Sequence, residues 1–195
     1  MPTRIGVFGG TFDPLHVGHL VTAINVRFEL RLDRMLLVPA GDPWQKAHRE
    51  VTPGEVRLAM VEAAVAGVEG LEACDIEVRR KGPSYTADTV AELRRDNPGA
   101  ELFVVLGSDA AALLSTWERA EEVRDGAVLV VVTRPGAAAA SPPEGWRHQV
   151  VVVPQLDMSS TEIRDRVVEG RPIDFLVTPP VQRVIRERGL YAPAS

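Results

Sequence analysis

The chain has 195 residues, a formal net charge of −5 and one cysteine, with 45% hydrophobic and 25% charged residues. That length and balance suit one sizeable core in a soluble globular protein. The lone Cys74 excludes an intrachain disulfide. No apolar run approaches the roughly 20 residues a membrane span needs, and the polar turn after Phe8 interrupts any signal-peptide core. The acidic balance argues against binding nucleic acid through bulk charge, yet a local cluster can still attract a small anion. The expectation is a cytoplasmic protein without membrane or nucleic-acid partners, and a homo-oligomer is compatible with it.

Residues 4–8 form an apolar run that reads as a strand buried on both faces. Gly9-Gly10-Thr11-Phe12-Asp13-Pro14-Leu15-His16-Val17-Gly18-His19 follows: paired glycines, a polar turn, and a helix entered near Gly18. Strand, tight turn and helix N-terminus is the arrangement that offers backbone amides to phosphate. Neither the dinucleotide fingerprint nor the Gly-rich loop ending in Lys and Ser or Thr is present. His16 and His19 are three residues apart, so on a helix both rings can face one way and donate to phosphate oxygens. Helix capping and zinc ligation stay open on these residues alone. Zinc would need further ligands, and His48 and His148 fall in predicted loops.

The hydrophobic pattern then predicts a helix over 18–30 with Leu20, Ile24, Phe28 and Leu32 inward, and a strand over 34–39. The loop after it holds Lys46. A helix starts with Thr52 as N-cap, Pro53 at N1 and Glu55 at N3, carrying Val56, Met60 and Ala64 inward with Arg57 beside them. A strand over 74–78, or one from Leu71 onward, a polar loop from Arg79 to Tyr85 and a helix over 86–95 come next. The strand over 101–106 ends at Gly107-Ser108-Asp109. A short helix over 110–113 precedes one from 115 or 116 to 123, which would carry Trp117. A strand over 127–132 ends at Thr133-Arg134-Pro135, residues 136–147 read as a surface loop, and a last strand covers 149–153. Helices opening near Ser159-Ser160-Thr161 and at Pro179 or Pro180 close the chain, the last with Val181, Val184 and Ile185 inward.

This alternation predicts an α/β fold, a doubly wound and mostly parallel sheet with a C-terminal helical segment. One domain over 1–195 is expected, with residues 159–195 as its C-terminal helical part. Ligands of such sheets bind outside the carboxyl ends of the strands, where Gly9-Gly10, Pro39, Gly107-Ser108-Asp109 and Thr133-Arg134-Pro135 converge.

Several residues carry two readings each. Ser160, Thr161 and Arg164 could embrace a polyphosphate, or simply cap a helix and pair with an acid. Gly107 and Asp109 could meet a ribose or a hydrated Mg²⁺, or form a plain turn. Trp117 could stack on a flat ring or anchor a core. Lys46 could be a point charge at a phosphate or a solvated loop lysine.

The opening stretch closely resembles the signature of nucleotidylyltransferases that carry a His-x-Gly-His motif. The remaining motifs are similar to those of the bacterial nicotinate-nucleotide adenylyltransferase family: Gly82-Pro83-Ser84-Tyr85-Thr86-Ala87-Asp88-Thr89, Gly107-Ser108-Asp109, Trp117, and Ser159-Ser160-Thr161-Glu162-Ile163-Arg164. The likeness runs from residue 4 to about Tyr191. It departs at Ala40 and Gln45, where many members have asparagine and histidine, and at Val184, where an aromatic is common.

The resemblance implies a Rossmann-like nucleotidylyltransferase fold and adenylyl transfer from ATP to nicotinate mononucleotide. It places ATP against Gly9, Gly10, Thr11, Phe12, His16, His19, Gly107, Asp109, Ser160, Thr161 and Arg164. Nicotinate mononucleotide falls to Lys46, Ser84, Tyr85, Thr86, Trp117 and Arg134. His16, His19, Lys46 and Arg164 would be catalytic, with Mg²⁺ carried on the ATP phosphates and Asp109 near it. Rival readings are a different phosphorylated acceptor, such as nicotinamide mononucleotide, and a nucleotide-binding protein without turnover.

Overall fold

The computed structural model describes residues 2–42, 51–136, 141–154 and 156–192. Strands β1 (Arg4–Gly10), β2 (Arg34–Pro39), β3 (Leu71–Ala73), β4 (Glu101–Gly107), β5 (Val128–Thr133) and β6 (His148–Val152) form one sheet in the order β3-β2-β1-β4-β5-β6. Every pairing is parallel, with Val7 facing Leu36 on one side and Val104 on the other. The connecting helices are α1 (Val17–Glu29), α2 (Gly54–Val65), α3 (Thr86–Asp96), α4 (Ser108–Ala112), α5 (Ala120–Gly126), α6 (Ser160–Val168) and α7 (Pro179–Glu187).

Because side chains alternate along a strand, each central strand feeds two cores. Met35, Leu37, Phe103, Val105, Val128 and Val130 face α1, α2, α6 and α7, meeting Ala23, Val26, Met60, Ile163, Val181 and Ile185. Ile5, Val7, Leu36, Val38, Leu102, Val104, Leu129 and Val131 face α3, α4 and α5, meeting Ala87, Val90, Leu93, Ala111 and Val123. Each fully buried Leu, Ile or Phe contributes about 1.5–3 kcal/mol of burial free energy. The C-terminal helices therefore share the core of the sheet. The order reverses between β1 and β4, which opens a crevice at their carboxyl ends.

Local expectations fail in four places. On α1 the buried residues are Ala23 and Val26, while Ile24 and Phe28 are 48% and 78% exposed. Helix α2 starts at Gly54 with Pro53 as N-cap and no side-chain cap bond, and Arg57 lies in its buried face while Val56 is half-buried. Strand β3 stops at Ala73. Trp117 lies outside any helix, extended after a 3-10 turn over Leu114–Thr116, and α5 starts only after Arg119 in the left-handed region (φ 53°).

Gly41 sits where β2 meets the 74–85 segment. Its N–H donates to the Ser84 hydroxyl (2.9 Å), and a Cβ there would overlap the Glu77 carbonyl oxygen, a backbone atom. A Cβ on Gly9, by contrast, would meet nothing within 4 Å. Gly41→Ala should therefore lower unfolding free energy by about 2–3 kcal/mol in urea titration, and Gly9→Ala by less than about 0.5 kcal/mol.

Candidate active site

The turn over residues 11–16 is built around a bend that brings Phe12 back over the strand end. Phe12 adopts φ 48° and is buried; its ring meets Phe8 and His19 edge-on, at centroid distances of 5.7 and 5.0 Å. A Cβ at Gly10 would lie 2.7 Å from the Phe12 ring, so only glycine leaves room for that fold-back.

Polar groups from four distant segments hold this turn. The buried Asp13 carboxyl accepts the Tyr191 hydroxyl (2.7 Å) and the Thr52 N–H (3.4 Å). Arg164 Nη1 donates to the Asp13 carbonyl (2.7 Å), and the Ser160 hydroxyl to the Pro14 carbonyl (2.9 Å). Val17 N–H donates to the Leu176 carbonyl (2.9 Å). Arg57, 1% exposed, donates to the carbonyls of Thr11 (2.7 Å), Thr52 (2.7 Å) and Gly41 (3.1 Å). Its charge is thus spread over backbone dipoles, which is how a buried guanidinium escapes an unpaired penalty. Burial, with Asp13's charge added, pushes the Tyr191 phenol up, so it stays a donor.

His16 caps α1. Its N–H donates to His19 Nδ1 (3.2 Å), and the two rings stack at 3.6 Å and 25°. An accepting Nδ1 leaves the His19 ring proton on Nε2. Gly18 eases this packing, since a Cβ there would stand 3.0 Å from His16 Nδ1 and crowd the ring. That Nδ1 is buried without a hydrogen-bond partner. Burial lowers the His16 pKa to about 4, so near neutral pH the ring is uncharged.

At the start of α6 the hydroxyls have distinct tasks. Ser159 is the N-cap, accepting from Glu162 N–H (3.1 Å), and Thr161 Oγ1 accepts from Arg164 Nη2 (3.1 Å). Ser160, Thr161 and Arg164 thus sit beside the turn, tying it to α6.

Beyond Thr11 a cavity of about 370 Å³ lies over the crevice between β1 and β4. Gly9, Gly10, Thr11 and Gly107 form one part of its wall, Ser84, Tyr85 and Thr86 another, and Trp117 with Glu118 a third. A Cβ on Gly9 or Gly107 would meet no protein atom within 4 Å. Their missing side chains leave volume in the cavity. Glu77 and Thr89 also line it: Thr89 Oγ1 donates to Glu77 Oε1 (2.7 Å), and both residues are buried.

The sequence-predicted residues thus fall into two adjoining groups. Gly9, Gly10, Thr11, Gly107, Ser84, Tyr85, Thr86 and Trp117 line the cavity, while Phe12, His16, His19, Ser160, Thr161 and Arg164 surround the turn. Asp109 and Arg134 are exposed beyond β4 and β5 and do not line the cavity. Lys46, with Pro43, Trp44, Gln45 and His48, lies outside the described residues, as does part of the 136–147 loop. Sequence reasoning missed Glu77, Thr89 and the Asp13–Tyr191 bond. A lone acid between Ile76 and Val78 was the available signal for Glu77. Among the described residues no cluster of three or more His, Cys, Asp or Glu could hold a metal ion, and no helix is long and apolar enough to cross a membrane.

A profile of the family described as "Cytidylyltransferase-like" matches residues 7–166. A Corynebacterium kroppenstedtii protein named "Probable nicotinate-nucleotide adenylyltransferase" is 43% identical over 195 residues, covering 98% of this chain and 92% of its own. A Shouchella clausii protein of the same name is 43% identical over 188 residues, covering 96% of each. The fold is similar to that of Plasmodium falciparum nicotinic acid mononucleotide adenylyltransferase complexed with NaAD, with a TM-score of 0.80 at 18% identity over 97% of each chain.

The depressed His16 pKa makes an acid-stability test. Unfolded His16 takes a proton near pH 6.5 and the folded residue only near 4, so stability falls as pH drops between these values and no further below them. Between pH 7 and about 4.5, wild type should lose about 2–3 kcal/mol more stability than His16→Gln in urea titrations. Equal losses would contradict the buried neutral imidazole.

Proposed function

The chain belongs to the cytidylyltransferase-like family, and from that premise we infer that it is an adenylyltransferase of NAD biosynthesis, acting on ATP and nicotinate mononucleotide. The products are nicotinate adenine dinucleotide and pyrophosphate. The observation that carries this reading is the near-full-length identity, at 43%, to relatives named for that activity. The geometry supports it: a ring-sized cavity with Trp117 on its wall opens beside a glycine turn strapped by Arg164.

We propose the following roles. The ATP phosphates lie over Gly9, Gly10, Thr11 and Phe12, with His19 Nε2–H, His16 Nδ1, Ser160, Thr161 and Arg164 around them. Ser160 and Thr161 would exchange their internal hydrogen bonds for phosphate oxygens. Gly107 gives space for the nucleoside, and Asp109 reaches its ribose. The pyridine ring stacks on Trp117 and its carboxylate meets the amides of the Ser84-Tyr85-Thr86 turn at the head of α3, with Arg134 and Lys46 serving the mononucleotide phosphate.

The 5′-phosphate of the mononucleotide attacks the α-phosphorus of ATP in line, and pyrophosphate leaves. A phosphate monoester is already ionised at neutral pH, so no general base is required. The protein's part is alignment and stabilisation of the transferring group's charge. His19, His16, Lys46 and Arg164 carry that part, Lys46 and Arg164 as cations.

The described residues build no metal cage of their own. We propose that Mg²⁺ arrives on the ATP phosphates, where it would screen their charge, and that Asp109 can accept from its water shell. The chain forms one domain over 1–195, with residues 159–195 as its C-terminal helical part, and works in the cytoplasm.

One observation favours a second acceptor, nicotinamide mononucleotide. The charged residues in the described cavity wall are Glu77 and Glu118, with no Lys, Arg or His among them. Pyrophosphate release from ATP, with each mononucleotide offered alone, separates the two. Nicotinate mononucleotide should support turnover, and His19→Ala should slow it at least about a hundredfold with the fold intact, a loss of about 2.7 kcal/mol or more. A variant within threefold of wild type would remove His19 from the mechanism. Release only with the nicotinamide form would overturn the acceptor.

A further inference from the structure

The cavity poses a charge problem. Nicotinate carries a ring carboxylate, yet the described wall offers it two acids and no cation. Glu118 is exposed on the Trp117 side and can stay hydrated, whereas Glu77 is 8% exposed. The amide at the head of α3 supplies donors on one side. On the other, an ionised Glu77, itself buried from solvent, would set two carboxylates against each other.

The donors on Glu77 favour its ionised form, so a neutral carboxyl must come from burial and from the approaching ligand carboxylate. Thr89 Oγ1 donates to Glu77 Oε1 at 2.7 Å, and Arg80 Nη1 lies 3.4 Å behind Thr89 Oγ1. With Oε1 occupied as an acceptor, a proton on the group resides on Oε2, which makes Oε2 a donor. We propose that Glu77 is a specificity-determining residue that meets the ring carboxylate of nicotinate mononucleotide as a neutral carboxylic acid, taking one proton from solvent as the ligand binds. This rests on the acceptor proposed above. Nicotinamide, uncharged on the ring, draws no such proton, so the affinity ratio of the two ligands depends on pH.

The surroundings bear on that proton. Burial pushes the Glu77 carboxyl up, with Asp88 on α3 acting in the same direction. The Thr89 and Ser84 hydroxyls and the Arg80 charge oppose it. Arg80 is itself paired with Glu92 of α3 (2.8 Å), which blunts its pull. Tyr85 and Glu118 are the other ionisable residues lining the cavity, and Asp42 bridges to Pro83 beside it.

Titration calorimetry of the whole protein with each mononucleotide, in buffers of different ionisation heat, tests this. Both ligands carry the same 5′-phosphate, so protons taken up there or by the histidines cancel in the comparison. The expected result is that the acid ligand takes up more protons than the amide ligand, and that its affinity relative to the amide falls as pH rises from about 5.5 to about 8.5, by at most about tenfold per unit. In Glu77→Gln, whose side chain is a permanent neutral donor, the excess proton should vanish and the ratio should become flat. A flat ratio in wild type, or an excess that persists in Glu77→Gln, overturns the proposal, and the wild-type comparison stands even if the variant does not fold. Failure of nicotinate mononucleotide to bind wild type at all would instead overturn the acceptor itself.

Discussion

The buried Asp13 carboxyl is the constraint on which the site depends. A carboxyl group removed from water must be hydrogen-bonded, and Asp13 meets that need with groups from far along the chain: the Tyr191 hydroxyl and the Thr52 N–H. Satisfying one acid therefore fixes where the C-terminus and the start of α2 must lie. Arg164 and Ser160 then claim the carbonyls of residues 13 and 14, and Arg57 the carbonyl of Thr11. The turn has little freedom left. The His16–His19 pair stacks at its end.

The sheet supplies the rest by topology. Parallel strands buried on both faces direct all their carboxyl ends to one edge, and the reversal between β1 and β4 leaves the crevice there. The 11–16 turn sits on the side of the helices packed by the C-terminal segment, and the cavity reaches toward α3 and Trp117. One strand end, Gly9-Gly10, serves both. Glycine at position 9 is required by no backbone angle and no neighbour, so its reason lies in the space it leaves.

Much of this was legible in the sequence. Strands β1, β2 and β4 announced themselves as short apolar runs ending in glycine or proline, whereas β3 lies just before the residues first expected to form it. Periodicity could not choose between two overlapping stripes on α1, because Ala23 and Ile24 are both apolar and only the partner surface decides which is buried. It also extended a helix through Trp117, where the backbone is held extended. The Asp13–Tyr191 bond spans 178 positions, beyond the reach of any local pattern. Arg57 was visible as a cation beside an apolar face, but its three carbonyl partners come from loops that sequence cannot place. Glu77 was hidden for the opposite reason, an ordinary acid made unusual only by burial.

The Asp13–Tyr191 bond links the position of the C-terminal segment to the 11–16 turn. A double-mutant cycle of Asp13→Asn and Tyr191→Phe, read in both urea stability and kcat for pyrophosphate release, tests it most directly. The account predicts that the double variant is little worse than either single one, with a coupling of at least about 1 kcal/mol in both readouts. Losses that simply add, to within about 0.5 kcal/mol, would show that the two residues act independently and would contradict it.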